Sequence, residues 1–89
     1  MKDKYLLKDW SCSHYFGYLV MHGTCYNNPK FEDGTYINTS NVLYIAKHED
    51  HLEIKTRNSI YCAYPEDIDK DFLELYPDIY EELGSNNMF

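Results

Sequence analysis

The residues of this 89-residue chain best suited to chemistry are three cysteines and four histidines. Cys12-x-His14 and His22-x-x-Cys25 each pair a thiol with an imidazole, and Cys62 stands apart. A tetrahedral zinc site needs four such groups converging at roughly 2.0–2.3 Å. Alternation along a strand puts Cys12 and His14 on one face, but His22 and Cys25 on opposite faces unless the chain bulges at Gly23. Neither spacing is a ligand knuckle, so no metal is expected. A cysteine nucleophile needs a nearby base and a lowered pKa; Cys12 with His14, or Cys62 with His51, are the available pairs. Small buried cysteines are commoner than reactive ones, and the chain reads as a non-enzyme without a catalytic residue or cofactor.

The carboxylates are the second candidate. Residues 66–82 hold Glu66, Asp67, Asp69, Asp71, Glu74, Asp78, Glu81 and Glu82 against one Lys70, and so carry the whole net charge of −7. They lack the D-x-D-x-D-G spacing of a calcium loop. A solvated helix face is the plain reading. The functional one is an acidic surface docking on a basic protein, through Asp71, Glu74, Asp78 and Glu81 with Tyr76 and Tyr80 beside them. Without a basic patch, direct nucleic-acid binding is not expected. Lys47, Lys55, Arg57 and Asn58 fall near predicted loop ends, where they could take the phosphate of a small nucleotide or signal molecule held between copies of a homo-oligomer.

These side chains must be carried by one small domain. Hydrophobic content of 44% with 26% charged residues predicts a folded chain rather than disorder. Ten tyrosines suit half-buried strand faces. Residues 1–9 suggest a short edge strand and 15–26 a strong strand with both faces apolar, interrupted by Gly17 and Gly23. Residues 27–40 (NNPKFEDGTYINTS) form the hinge, with a tight turn at Asp33-Gly34. Phe31 is placed there as a plug for a barrel end. Segments 42–47, 51–56 and 60–64 then read as a meander.

At Pro65 the period becomes helical, with Ile68, Phe72, Leu75, Ile79 and Leu83 facing inward, Asp67 as N-cap, a break at 76–77 enforced by Pro77, and Gly84 as the stop. The expectation is an α+β domain: a curved, mainly antiparallel sheet or SH3/OB-like barrel of five or six strands over 1–64, an acidic helix over 65–84, and a frayed tail over 85–89.

The pattern G-x-x-Y-N-x-P-x-F-x-D-G-T-x-I-x-T-S over 23–40, followed by T-R-N-S-x-Y at 56–61, resembles short proteins carried by bacteria and their phages. That resemblance covers residues 23–64 and implies a small β body of mobile-element origin, with no catalytic residue carried over. No secretion signal and no stretch near the ~20 apolar residues of a membrane span is visible. With unpaired cysteines, a reducing cytoplasm is the expected compartment. The functional expectation is an anti-CRISPR-like inhibitor that binds the basic surface of a host defence protein.

Overall fold

A computed structural model describes residues 4–85 of the chain. Within them six strands run in order: β1 (Lys4–Tyr15), β2 (Tyr18–Tyr26), β3 (Thr35–Asn38), β4 (Val42–Lys47), β5 (Leu52–Thr56) and β6 (Ile60–Ala63). A 3₁₀ turn (Pro65–Asp67) and two short helices, α1 (Lys70–Leu75) and α2 (Ile79–Ser85), follow. The class is α+β, built on one mixed sheet of order β3-β2-β1-β6-β5-β4. The hairpin neighbours are antiparallel, but β1 and β6 pair in parallel, from Lys4 opposite Ile60 to Leu7 opposite Ala63. The opening segment is therefore central, not the edge strand its position suggested.

The sheet does not close into the expected barrel: β3 and β4 are its edges, and no ladder joins them among the described residues. It is curled nonetheless. The stretch from Asn38 to Val42 spans about 15 Å at most, whereas the edges of a flat six-stranded sheet lie roughly 24 Å apart. Thr39 pins this short link to the sheet. Its N–H donates to the Met21 carbonyl at 2.9 Å, and its Oγ1 accepts from Met21 N–H at 3.0 Å.

One irregularity sets the core. Lys8 faces Thr24 and Ser11 faces His22, so Asp9 and Trp10 together oppose the single Gly23. The extra residue, with Asp9 at φ +49°, breaks the alternation. Leu7 and Trp10, three apart, both turn inward and are fully buried. Gly23 is required by the approach: a Cβ there would sit 2.8 Å from the Lys8 carbonyl oxygen. The bulge expected at Gly23 thus lies on the strand facing it. Gly17 does not interrupt a strand; with Phe16 it forms the β1–β2 turn, at φ +94° and +48°, both positive as a type I′ turn requires. Only one face of β2 is buried, through Leu19, Met21, Gly23 and Cys25, where two apolar faces were expected.

The hinge of 27–40 is held by its own polar groups. Asn28 is buried; its Oδ1 accepts from Lys30 N–H at 3.0 Å and its carbonyl from Phe31 N–H at 3.0 Å. Asp33 Oδ1 accepts from Asn27 N–H at 2.9 Å. Phe31, expected to plug a barrel end, is exposed.

The acidic segment docks as three short pieces rather than one helix. Asp69, not Asp67, caps α1, its Oδ2 accepting from Phe72 N–H at 3.0 Å. The chain breaks at Tyr76–Pro77, where Pro77 denies Tyr76 helical geometry. Ile68, Ile79 and Leu83 are buried and Phe72 packs against the core, but Leu75, assigned to that face, is 73% exposed. The break at Pro77 resets the helical phase, so spacing counted across it misplaces Leu75. Gly84 lies inside α2 instead of stopping it, close against Lys47 and Leu52. Of the expected frayed tail, Ser85 ends α2 and 86–89 lie outside the described residues.

Candidate functional site

Trp10 positions the acidic segment. Its indole Nε1 donates to the Tyr64 carbonyl at 2.9 Å, and its own carbonyl accepts from Asp69 N–H at 2.9 Å. These bonds seat the 3₁₀ turn and α1 beside β1. Between β1 and the helices runs a groove of about 500 Å³, lined by Cys12, Ser13, His14, Phe72, Tyr76, Ile79 and Glu82. Its helical wall carries the paired rings of Phe72 and Tyr76, 5.0 Å apart.

The corner between α1 and α2 brings most of the predicted docking residues together. Leu75 and Tyr76 are 73% and 53% exposed there, and Asp71, Glu74 and Asp78 around them are exposed. None of these three carboxylates has an ion-pair partner among the described residues. Glu81 and Tyr80 differ. Lys47 Nζ sits 3.2 Å from Glu81 Oε1 and 5.9 Å from the centroid of the Tyr80 ring. One carboxylate of the predicted set is thus neutralised by the chain itself, and Tyr80 is half-buried and packs against the core. Sequence reasoning missed the exposure of Leu75 at this corner, because helical spacing marked it as core.

The four residues predicted to take a phosphate are not brought together. Lys47 pairs with Leu52 at the start of β5, whereas Arg57 and Asn58 follow its end, roughly 16 Å along the strand. Lys47 is engaged by Glu81. Lys55 lies across from Tyr44 and Ile60. Asn58 Nδ2 donates to Ser40 Oγ at 3.3 Å.

The thiols and imidazoles are also dispersed, and no three of the described His, Cys, Asp or Glu residues are grouped to hold a metal. His22 is held on the outer face, with Nε2 2.9 Å from Ser13 Oγ and Nδ1 2.5 Å from Asn38 Oδ1. Burial pushes the Cys12 thiol up to about 11 and raises Cys25 and Cys62 as well. A raised pKa is the reverse of what a nucleophile needs.

A separate cluster lies at the β4–β5 turn. Glu53 accepts from Lys4 Nζ at 3.0 Å and from His48 Nε2 at 3.1 Å. The hydrogen bond from Lys4 foremost, and that from His48, hold its carboxyl below the ordinary range. His48 stacks on His51, which contacts Tyr64.

The residues of the N-x-P-x-F-x-D-G-T, T-S and T-x-x-S-x-Y pattern interlock. Phe31, Ile37, Thr39, Ser40, Asn58, Ser59 and Tyr61 surround one depression of about 100 Å³. Thr56 Oγ1 accepts from Ser59 N–H at 3.1 Å. The pattern fastens the hinge to the β5–β6 turn, where Asn58 Nδ2 donates to Ser40 Oγ. Among the described residues no helix is long and apolar enough to cross a membrane. No known protein family, curated protein or solved structure matches the chain.

Proposed function

We propose that this is a non-enzymatic binding protein of phage or mobile-element origin that inhibits a host defence protein, docking through the α1–α2 corner onto a basic surface. The observation that carries this reading is the clustering of exposed Leu75 and Tyr76 with the exposed carboxylates of Asp71, Glu74 and Asp78, which have no ion-pair partner among the described residues. An apolar centre within a polar rim is the common anatomy of a protein interface. Carboxylates of one sign speed encounter with a basic partner and exclude acidic ones. The dispersed cationic residues and raised thiol pKa values favour binding over chemistry.

The test is phage plating on bacteria that carry defined defence systems and express this protein. The wild type restores plating on a susceptible system. A variant with Asp71, Glu74 and Asp78 each changed to Lys loses that effect, and its complex loses salt dependence. Equal restoration by the folded triple variant would remove the corner from the interface. Failure of the wild type across all the systems would remove the inhibitor reading.

A further inference from the structure

Strand β6 covers only the first part of β1. Their ladder ends at Leu7 opposite Ala63, and beyond the bulge the Trp10 carbonyl accepts from Asp69 N–H on that same side. From Ser11 to Tyr15, β1 pairs with β2 alone. The direction of its backbone groups there follows from β2. In an antiparallel ladder, opposed residues either exchange their N–H and C=O groups or point them away from each other. Met21 stands opposite Cys12. Its N–H donates to Thr39 Oγ1 at 3.0 Å and its carbonyl accepts from Thr39 N–H at 2.9 Å, both on the β3 side. Cys12 therefore turns its own N–H and C=O away from β2, on the edge where Trp10 meets Asp69. No ladder or turn bond among the described residues engages them there.

That edge opens into the groove of about 500 Å³ between β1 and the helices. Cys12, Ser13 and His14 line it as consecutive residues, which happens where a strand presents its edge rather than one face. The slot lies where β6 would continue had the chain not turned away at Pro65. Its far wall is Phe72, Tyr76 and Ile79, and no Lys or Arg lines it. Glu82 supplies the one carboxylate of the lining, exposed and outside every ion pair among the described residues. Asp71, Glu74 and Asp78 stand exposed at the adjoining corner. An acidic occupant is repelled by this field and a basic one is drawn in. Arginine suits the walls better than lysine. Its stem covers apolar side chains, and its planar guanidinium stacks on a ring while donating two N–H groups to a carboxylate. We infer that an extended, arginine-bearing peptide segment adds to β1 at Cys12 through backbone hydrogen bonds, with its arginine set between Tyr76 and Glu82. The inference rests on the proposed function, since it names the element by which the basic partner is held.

The experiment titrates the peptide acetyl-Val-Arg-Val-amide into the isotope-labelled full chain, read by NMR amide shifts and hydrogen exchange. Shifts saturate and concentrate at residues 12–14 and 72–82, and exchange of the Cys12 N–H slows about tenfold or more at saturation. Citrulline in place of the arginine keeps the shape, loses the charge and weakens binding about threefold or more. Glu82→Gln, at an exposed position, weakens the arginine peptide by a similar factor and leaves the citrulline peptide unchanged. Methylating the three backbone nitrogens of the peptide abolishes binding, because strand addition depends on main-chain donors. The inference is overturned by shifts that never saturate in the groove, by equal affinity of the citrulline peptide, or by equal affinity of the methylated one. Proton–proton contacts between the Cys12 N–H and residues 86–89 in the peptide-free protein give the slot to the chain's own end and overturn it too. No host protein enters this titration. Peptide binding with failed phage plating keeps the slot and removes the inhibitor reading; restored plating without peptide binding does the reverse.

Discussion

The Trp10 indole donates to the carbonyl of Tyr64 at 2.9 Å, across 54 positions of the chain. Trp10 is fully buried, and its backbone carbonyl also holds Asp69. One residue therefore ties the middle of β1 to both ends of the turn that leads into the helices. Trp10→Phe removes the donor and part of the ring volume. Its expected cost is roughly 2–4 kcal/mol, read by urea denaturation. Hydrogen exchange should rise first in 65–75. A cost confined to β1–β2, with the helices still protected, would show that Trp10 does not seat them.

Gly23→Ala should be almost as damaging, since the new methyl meets backbone at Lys8, which cannot rotate away. Overpacking of this kind costs about 1–3 kcal/mol. A Gly23→Ala protein as stable as wild type in thermal melts would contradict the two-against-one register.

Leu75 and Ile79 make a contrasting pair on the helices. Ile79 is 8% exposed and packs in the core, while Leu75 faces solvent. Ile79→Ala should cost about 2–4 kcal/mol, whereas Leu75→Ala should fall within roughly 0.5 kcal/mol of wild type. Partner binding should respond in the opposite order. A large stability loss for Leu75→Ala would return that residue to the core and weaken the proposed corner.

Acid sensitivity should be traceable to Glu53. Its folded pKa lies below the ordinary 4.5, chiefly through the hydrogen bond from Lys4. A depressed carboxyl contributes stability that is complete above the unfolded value and fades as pH falls through the folded one. Wild type should lose stability more steeply than Glu53→Gln as pH falls below 4.5. Parallel curves for the two proteins would show that the ion pair is not linked to folding.

The thiols should be sluggish. With Cys12 pushed up to about 11 from an ordinary 9.0, roughly a hundredfold less thiolate is present near neutrality. Ellman's reagent should react slowly with native protein and stoichiometrically with all three cysteines in guanidinium. Fast labelling of Cys12 in the native state would reopen nucleophilic chemistry.

What the residues announced in advance was largely local. The strands of the β4–β6 meander, the change of period at Pro65 and the break at Pro77 follow from alternation and proline geometry within a few positions. What escaped depended on distant partners. Nothing near Lys4–Leu7 says that these residues will lie parallel to Ile60–Ala63, because parallel pairing leaves no turn in the sequence. The Phe16–Gly17 turn escaped since phenylalanine is a poor turn residue. In the site, the carboxylates were legible from composition. The exposure of Leu75 and the capture of Glu81 by Lys47 were not, since both depend on how α1 and α2 settle on the sheet.

The parallel union of β1 with β6 also dictates how this protein comes into being. A chain leaving the ribosome can zip β1, β2 and β3 together early, yet β1 keeps one bare backbone edge until residues 60–63 have been translated. Such non-local closure is slow, and an unpaired strand edge recruits other chains. Until then the growing chain carries an open strand edge that the folded protein covers with β6.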